Sequence, residues 1–213
     1  MDPMTDALAA TWTILHQVVG QAAPTPRVVA VLRDPAMLAR WPLVVPGEHP
    51  TREPLRRGLA HLGDSTESQQ EIDDDHFLLL RGPGAPVVEP WESVHRGRDH
   101  VLFDDHTMQV RQWYRRHRLQ APRLNVEPDD HLALELEFAA HLLVQAMEAE
   151  DVADEDADRY RSAHDAFCRE HLLAWAPTCF ERIVEHARTD FYRGVGWLGV
   201  DALQIADEVV GEA

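Results

Sequence analysis

The segment from Asn125 to Glu150, NVEPDDHLALELEFAAHLLVQAMEAE, gathers Glu127, Asp129, Asp130, His131 and Glu135 into one short stretch. Carboxylates beside a histidine can hold a divalent metal, move a proton, or receive a cationic ligand. A di-metal carboxylate bundle needs Glu-x-x-His on two helices plus further inward glutamates. The run ELEFAAH contains no Glu-x-x-His, the 13 histidines are scattered, and no His-Glu-x-x-His occurs. Gly-x-Ser-x-Gly, a phosphate-binding glycine loop and a dinucleotide fingerprint are absent too. The residues offer no nucleophile, no cofactor loop and no metal cage, so no catalytic residue, no metal ligand and no cofactor is expected.

Positioning these side chains requires a helix. LALELEF alternates like a strand, but AAHLLVQAMEAE after it does not, and the Ala, Leu, Glu, Gln and Met content decides for helix. The expected start is near Pro128, with Asp129 and Asp130 at the positive end of the dipole. Wrapped at about 100° per residue, Glu137, His141, Gln145 and Glu148 form a polar stripe. Leu132, Leu136, Phe138, Ala139, Leu142, Leu143 and Met147 form a wide apolar arc, which predicts a central helix packed on more than one side. His131 and Glu135 interrupt that arc one turn apart. They read as a buried hydrogen-bonded pair, as half of a metal site, or as the lining of a ligand groove. Glu137 and His141 share the spacing on the wet face, where a solvent-exposed pair is expected.

The rest of the chain is patterned as helix. MTDALAATWTILHQVVGQ has apolar residues at helical spacing. TREPLRRGLAHLG offers Thr51 as N-cap and Gly63 as a stop, and STESQQEIDDDHFLLL ends apolar. RGPGAPVVEPWESVHRGRDHVLF breaks the pattern with proline and glycine steps, and a long ordered loop of this kind is often functional. QAPRLNVEP is a short proline-containing link. The expectation is a single all-α domain of roughly eight to eleven helices, with an N-terminal part (1–118), a hinge (119–128) and a C-terminal part (129–213).

Composition narrows the function. The 213 residues carry a net charge of -17, and all 20 basic residues are arginine. That balance repels a phosphate backbone, so no nucleic-acid partner is expected. No apolar run is long enough to span a bilayer, and the N-terminus lacks a basic n-region. Two cysteines without metal or disulfide spacing suggest a reducing compartment.

Four pieces then match one pattern, in order. EPDDH (127–131) resembles the E-P-x-D-H motif of the TorD/DmsD/NarJ family of redox-enzyme maturation chaperones. EPWESV (89–94), after a Gly-Pro turn, resembles its P-x/W-E-S motif. VLFDDHTMQVRQWYRRHRL is similar to the segment that follows, and HLLAWAPTCFERIVEHARTDFYRGVGWL resembles its C-terminal H-x-x-x-W-x-P…F-Y pattern. One departure stands out. The family's aromatic-x-x-Leu-Phe falls here on His76, with Phe77 beside it and Leu79 and Leu80 in the Leu-Phe places.

The resemblance implies a cytoplasmic, non-catalytic, all-helical protein. Its expected partner is the apo catalytic subunit of a molybdopterin oxidoreductase of the DMSO reductase type, often held through a twin-arginine leader until cofactor insertion. A leader that is cationic at one end and apolar beyond calls for an apolar groove bordered by acids. Leu79, Leu80, Pro90 and Trp91 are the expected apolar surface, Glu92, Glu127 and Asp130 the rim carboxylates. His131 is expected to orient Glu135 or Asp130. A tryptophan in a Pro-rich loop also serves as a core anchor, and Trp91 is open to both roles. No stable membrane insertion is expected, and the chain is a monomer or a domain-swapped homodimer through the hinge. Two other classes compete: a helical metal-dependent enzyme, and a helical adaptor without leader recognition.

Overall fold

The computed structural model describes residues 3–45, 50–152 and 156–212. Among them the chain is helical, with no strand. Helix α1 spans Pro3–Val18, α2 Pro26–Arg33, α3 Pro35–Leu38 and α4 Glu53–Asp64. Helix α5 (Gln69–His76) runs into a widened π turn, Phe77–Arg81. The short α6 (Glu92–Arg96) and α7 (Asp105–Arg116) follow, then α8 (Leu132–Asp151). Helix α9 (Ala157–Phe167) passes through a second π turn, Cys168–Leu172, into α10 (Leu173–His186), and α11 (Asp190–Glu212) ends the chain.

Helix α8 is central, as its apolar arc demands. It packs along α1 on one side and α9 on another. Leu132, Leu136, Ala139 and Leu142 are fully buried, and Leu143 keeps only 2% of its surface. Its start differs from the expectation. The helix begins at Leu132, four residues after Pro128, with His131 as the capping residue in extended geometry. Asp129 and Asp130 therefore precede the helix and do not line its first turn. The chain before it is held by other bonds: Leu132 N–H donates to the Pro90 carbonyl (2.9 Å) and Glu92 N–H to the Asp130 carbonyl (3.0 Å).

Helix α11 packs between α4 and α10. Close approach depends on glycine there. A Cβ on Gly199 would stand 2.1 Å from the Phe180 ring, and one on Gly58 2.6 Å from Leu198. The expected α4 cap also moves: Arg52, not Thr51, is the capping residue, and it makes no side-chain cap. Its guanidinium instead crosses to Asp201 of α11, at 2.7 and 2.9 Å. The helix then continues one residue past Gly63. Pro177 does not break the chain either; it lies inside α10, in the second turn after the π segment, where the regular ladder is already disturbed.

Candidate functional site

The two sequence motifs meet back to back. Trp91 and His131 form an isolated antiparallel bridge, and their rings stand edge to face with centroids 5.8 Å apart. About this bridge Asp129, Asp130, Glu92 and Glu135 find partners distant in sequence. Trp91 caps α6 without a side-chain bond. Asp130 supplies what is missing: its Oδ2 accepts from Ser93 N–H (2.7 Å), and its Oδ1 accepts from the Thr107 hydroxyl of α7 (2.7 Å). This serves the orphan donors of a helix start from another segment of chain. Burial pushes the Asp130 carboxyl above its usual range, against the pull of these two donors.

The neighbouring acids are equally enclosed. Asp129 accepts from Arg111 Nε (3.0 Å) and Nη2 (2.6 Å), while Tyr114 hydroxyl donates to the Asp129 carbonyl (3.0 Å). Glu92 is fully buried. It meets His171 Nδ1 at 2.8 Å, pairs with Arg96, and has His106 Nδ1 at 3.6 Å. Glu135 accepts from Trp175 Nε1 at 3.0 Å, and its second oxygen has no partner among the described residues. Burial, with Glu92 and Asp130 nearby, holds the Glu135 carboxyl well above the usual range. The residues His171 and Trp175 are the His and Trp of the third motif. The second π turn carries His171 and the helix after it carries Trp175, so both rings reach inward to the two acids. Three motifs spread over more than eighty residues thus form one buried polar knot.

His131 caps α8 through Nδ1, which accepts from Ala133 N–H at 3.1 Å. The proton of the neutral ring therefore sits on Nε2. Burial, with Arg81 and His76 adding positive charge nearby, lowers its pKa to about 3. The expected His131–Glu135 pair does not form, nor does His131 orient Asp130. One ring nitrogen is used by the cap, and each acid has its own donor.

Of the expected rim carboxylates, Glu92 and Asp130 prove to be interior, whereas Glu127 does not. Glu92, Asp130 and Glu135 are fully buried, His131 is 2% exposed, and Leu79, Leu80 and Pro90 also lie inside. Trp91 and Glu127 alone, among the nine expected residues, keep part of their surface. Trp91 Nε1 has no partner among the described residues, and Glu127 pairs with Arg123. Leu79 and Leu80 line the core where the first π turn ends, and Val88 N–H donates to the Leu79 carbonyl (2.7 Å). In the departing aromatic position, His76 turns inward, its Nε2 2.9 Å from the Gly20 carbonyl, while Phe77 faces solvent.

Beside the knot lies an open cavity of about 240 Å³. His131, Ala133, Leu134 and Glu137 of the α8 region form one wall, His16, Gly20 and Gln21 another, and Ala121–Arg123 with Glu127 the third. Sequence reasoning missed Gly20, Gln21 and Pro122, which carry no chemistry of their own and are brought here only by packing. Among the described residues no group of three His, Cys, Asp or Glu side chains is arranged to hold a metal ion. No helix is long and apolar enough to cross a membrane, again among those residues.

The chain is thus an all-helical domain whose acids Glu92, Asp129, Asp130 and Glu135 are locked inward beside an open cavity. The family follows from comparison: residues 48–181 match the family model "Nitrate reductase delta subunit", and the chain belongs to that family. It is 30% identical over 173 residues to a Tat proofreading chaperone, DmsD, of Salmonella typhi, covering 81% of this chain and 74% of the relative. It is 27% identical over 139 residues to a chaperone protein, TorD, of Aliivibrio fischeri, covering 65% of this chain and 64% of that one.

Proposed function

We propose that this protein is a maturation chaperone. It binds the apo catalytic subunit of a molybdopterin oxidoreductase of the DMSO reductase type, through a twin-arginine leader where the client has one, and delays export until the cofactor is inserted. It acts in the cytoplasm as a binding protein and catalyses no reaction. The observation that carries this reading is the buried knot. Asp130, Glu92 and Glu135 are bonded to Ser93, Thr107, His171 and Trp175, so they hold the cavity wall in place and leave client contact to half-exposed Trp91 and Glu127. The relatives named as chaperones support the same reading. Apolar contact at Trp91 stabilises binding by about 25 cal/mol per Å² buried, before ordering costs.

Co-expression with a candidate catalytic subunit tests it. The subunit made without cofactor should co-purify with this chain, the loaded subunit should not, and Trp91→Ala should reduce the yield of complex. Equal recovery of loaded and empty subunit would count against a maturation role.

A further inference from the structure

A second cavity, of about 170 Å³, adjoins the first. The two share Ala121, Pro122, Leu134 and Glu137, so they form two ends of one groove along α8, with the Ala121–Pro122 segment between them. Both ends expose mostly apolar surface but differ in which side chains supply it: the first is edged by His131, His16, Gln21 and Glu127, and the second holds the rings of Tyr114 and Phe138 with Leu119, Gln120 and His141.

Glu137 stands where they join. It is exposed, and no hydrogen bond or ion pair reaches it from the described residues. The cationic candidates nearby are otherwise engaged or uncharged. Arg123 pairs with Glu127. Burial holds His16 and His141 below the usual histidine range despite the attraction of Glu137. At neutral pH the groove therefore presents an uncompensated carboxylate flanked by neutral imidazoles. A planar guanidinium suits that setting better than an ammonium, because it bonds a carboxylate in a fork and stacks on flat rings.

We propose that Glu137 is the arginine anchor of the client site, and that an extended peptide crosses it with its apolar side chains in the cavity lined by Tyr114, Leu119 and Phe138. This rests on the chaperone reading and adds to it the orientation of the peptide and a residue that determines specificity.

Calorimetric titration of the full chain tests it. The probe is a synthetic peptide with two adjacent arginines followed by an apolar stretch; control peptides carry glutamine or lysine in place of both arginines. Glu137→Gln should leave the melting temperature unchanged and weaken the arginine peptide about two- to fivefold at low salt, as a single wet charge pair does. The loss should shrink as salt rises and vanish with the glutamine peptide. The lysine peptide should bind the unmodified chain less tightly than the arginine peptide. If Glu137→Gln binds the arginine peptide as tightly as the unmodified chain, or loses equally with glutamine, the anchor is wrong while the chaperone reading stands. If the unmodified chain binds none of the peptides, leader recognition fails along with the anchor.

Discussion

His131 has two constraints that act on one ring. As an N-cap it must offer a lone pair to Ala133 N–H, and as a buried ring beside Trp91 it must stay uncharged. Protonation would remove the lone pair and place a charge in the interior. An unfolded histidine takes a proton below its ordinary 6.5, but the folded one resists until about 3. Since the folded pKa is the lower of the two, stability falls as pH drops from 6.5 toward 3, and this group causes no further loss below that. At pH 5 the penalty is about 2 kcal/mol by the usual relation between pKa shift and free energy. His131→Asn should keep the cap, because an amide oxygen accepts the same bond, while removing the titration. It should cost about 1 kcal/mol at pH 7 through the lost ring contact. The fall in stability from pH 7 to pH 5, followed by urea unfolding, should be about 2 kcal/mol smaller than in the parent. An unchanged fall would mean that His131 is not the acid-sensitive group. Glu135 works in the opposite direction: its raised pKa makes its contribution decline as pH climbs above the ordinary carboxylate range. The two groups therefore bend the pH profile from both sides.

At the scale of elements, regular patterning was readable and long-range pairing was not. The arc Leu132, Leu136, Ala139, Leu142 marked α8 as central because its period is local to the sequence, and those residues are buried. Pro128 and the two aspartates look like a first turn, yet the helix starts at Leu132; what delays it is pairing with Pro90 and Glu92, about forty residues upstream. Likewise the burial of Glu92 depends on His171, and that of Glu135 on Trp175. Those two rings stand four apart in a quoted motif, yet nothing in their spacing names the acids they meet. The glycines of α11 carry a comparable hidden constraint. Gly199 looks like a weak point in a helix, but its missing side chain is what lets α10 lie close, with the Phe180 ring 2.1 Å from where a Cβ would be. Alanine would gain about 1 kcal/mol of helix propensity and lose more by forcing a fully buried ring from its place. Gly199→Ala should therefore destabilise by about 1–3 kcal/mol in thermal or urea unfolding. Gly211→Ala, with nothing within 4 Å among the described residues, should not destabilise at all. Equal melting of the two variants would show that α10 and α11 can slide apart without cost.

Over the whole molecule, the hinge expected at 119–128 joins parts that share one core. Helix α1 lies along α8, and α4 lies along α11. Tyr192 hydroxyl donates to the Val18 carbonyl (3.1 Å), Arg52 reaches Asp201, and Asp75 accepts from the Arg188 and Thr189 amides and the Thr189 hydroxyl. Glu92 and His171 close the same interface from the knot. The link itself adds little; from Leu119 to Glu127 only Ala121 is buried, and Arg118 and Asn125 hold positive φ. Opening at the link therefore loses almost nothing locally but exposes the shared core, a cost comparable to unfolding. Two consequences follow for a swapped dimer. It would contain the same contacts as two monomers, so it is thermodynamically accessible at high concentration. Reaching it from the native monomer would require nearly complete unfolding, so exchange should be slow. Purified monomer should stay monomeric by light scattering when concentrated under native conditions. Refolding from denaturant at high protein concentration should yield a dimer fraction that grows with concentration and then persists on dilution. Unfolding should be a single transition, coincident by helix content and by tryptophan fluorescence, because the two parts share one core. Rapid monomer–dimer exchange without denaturant, or two separated transitions, would instead mean that each part is stable alone and that the link opens as a true hinge.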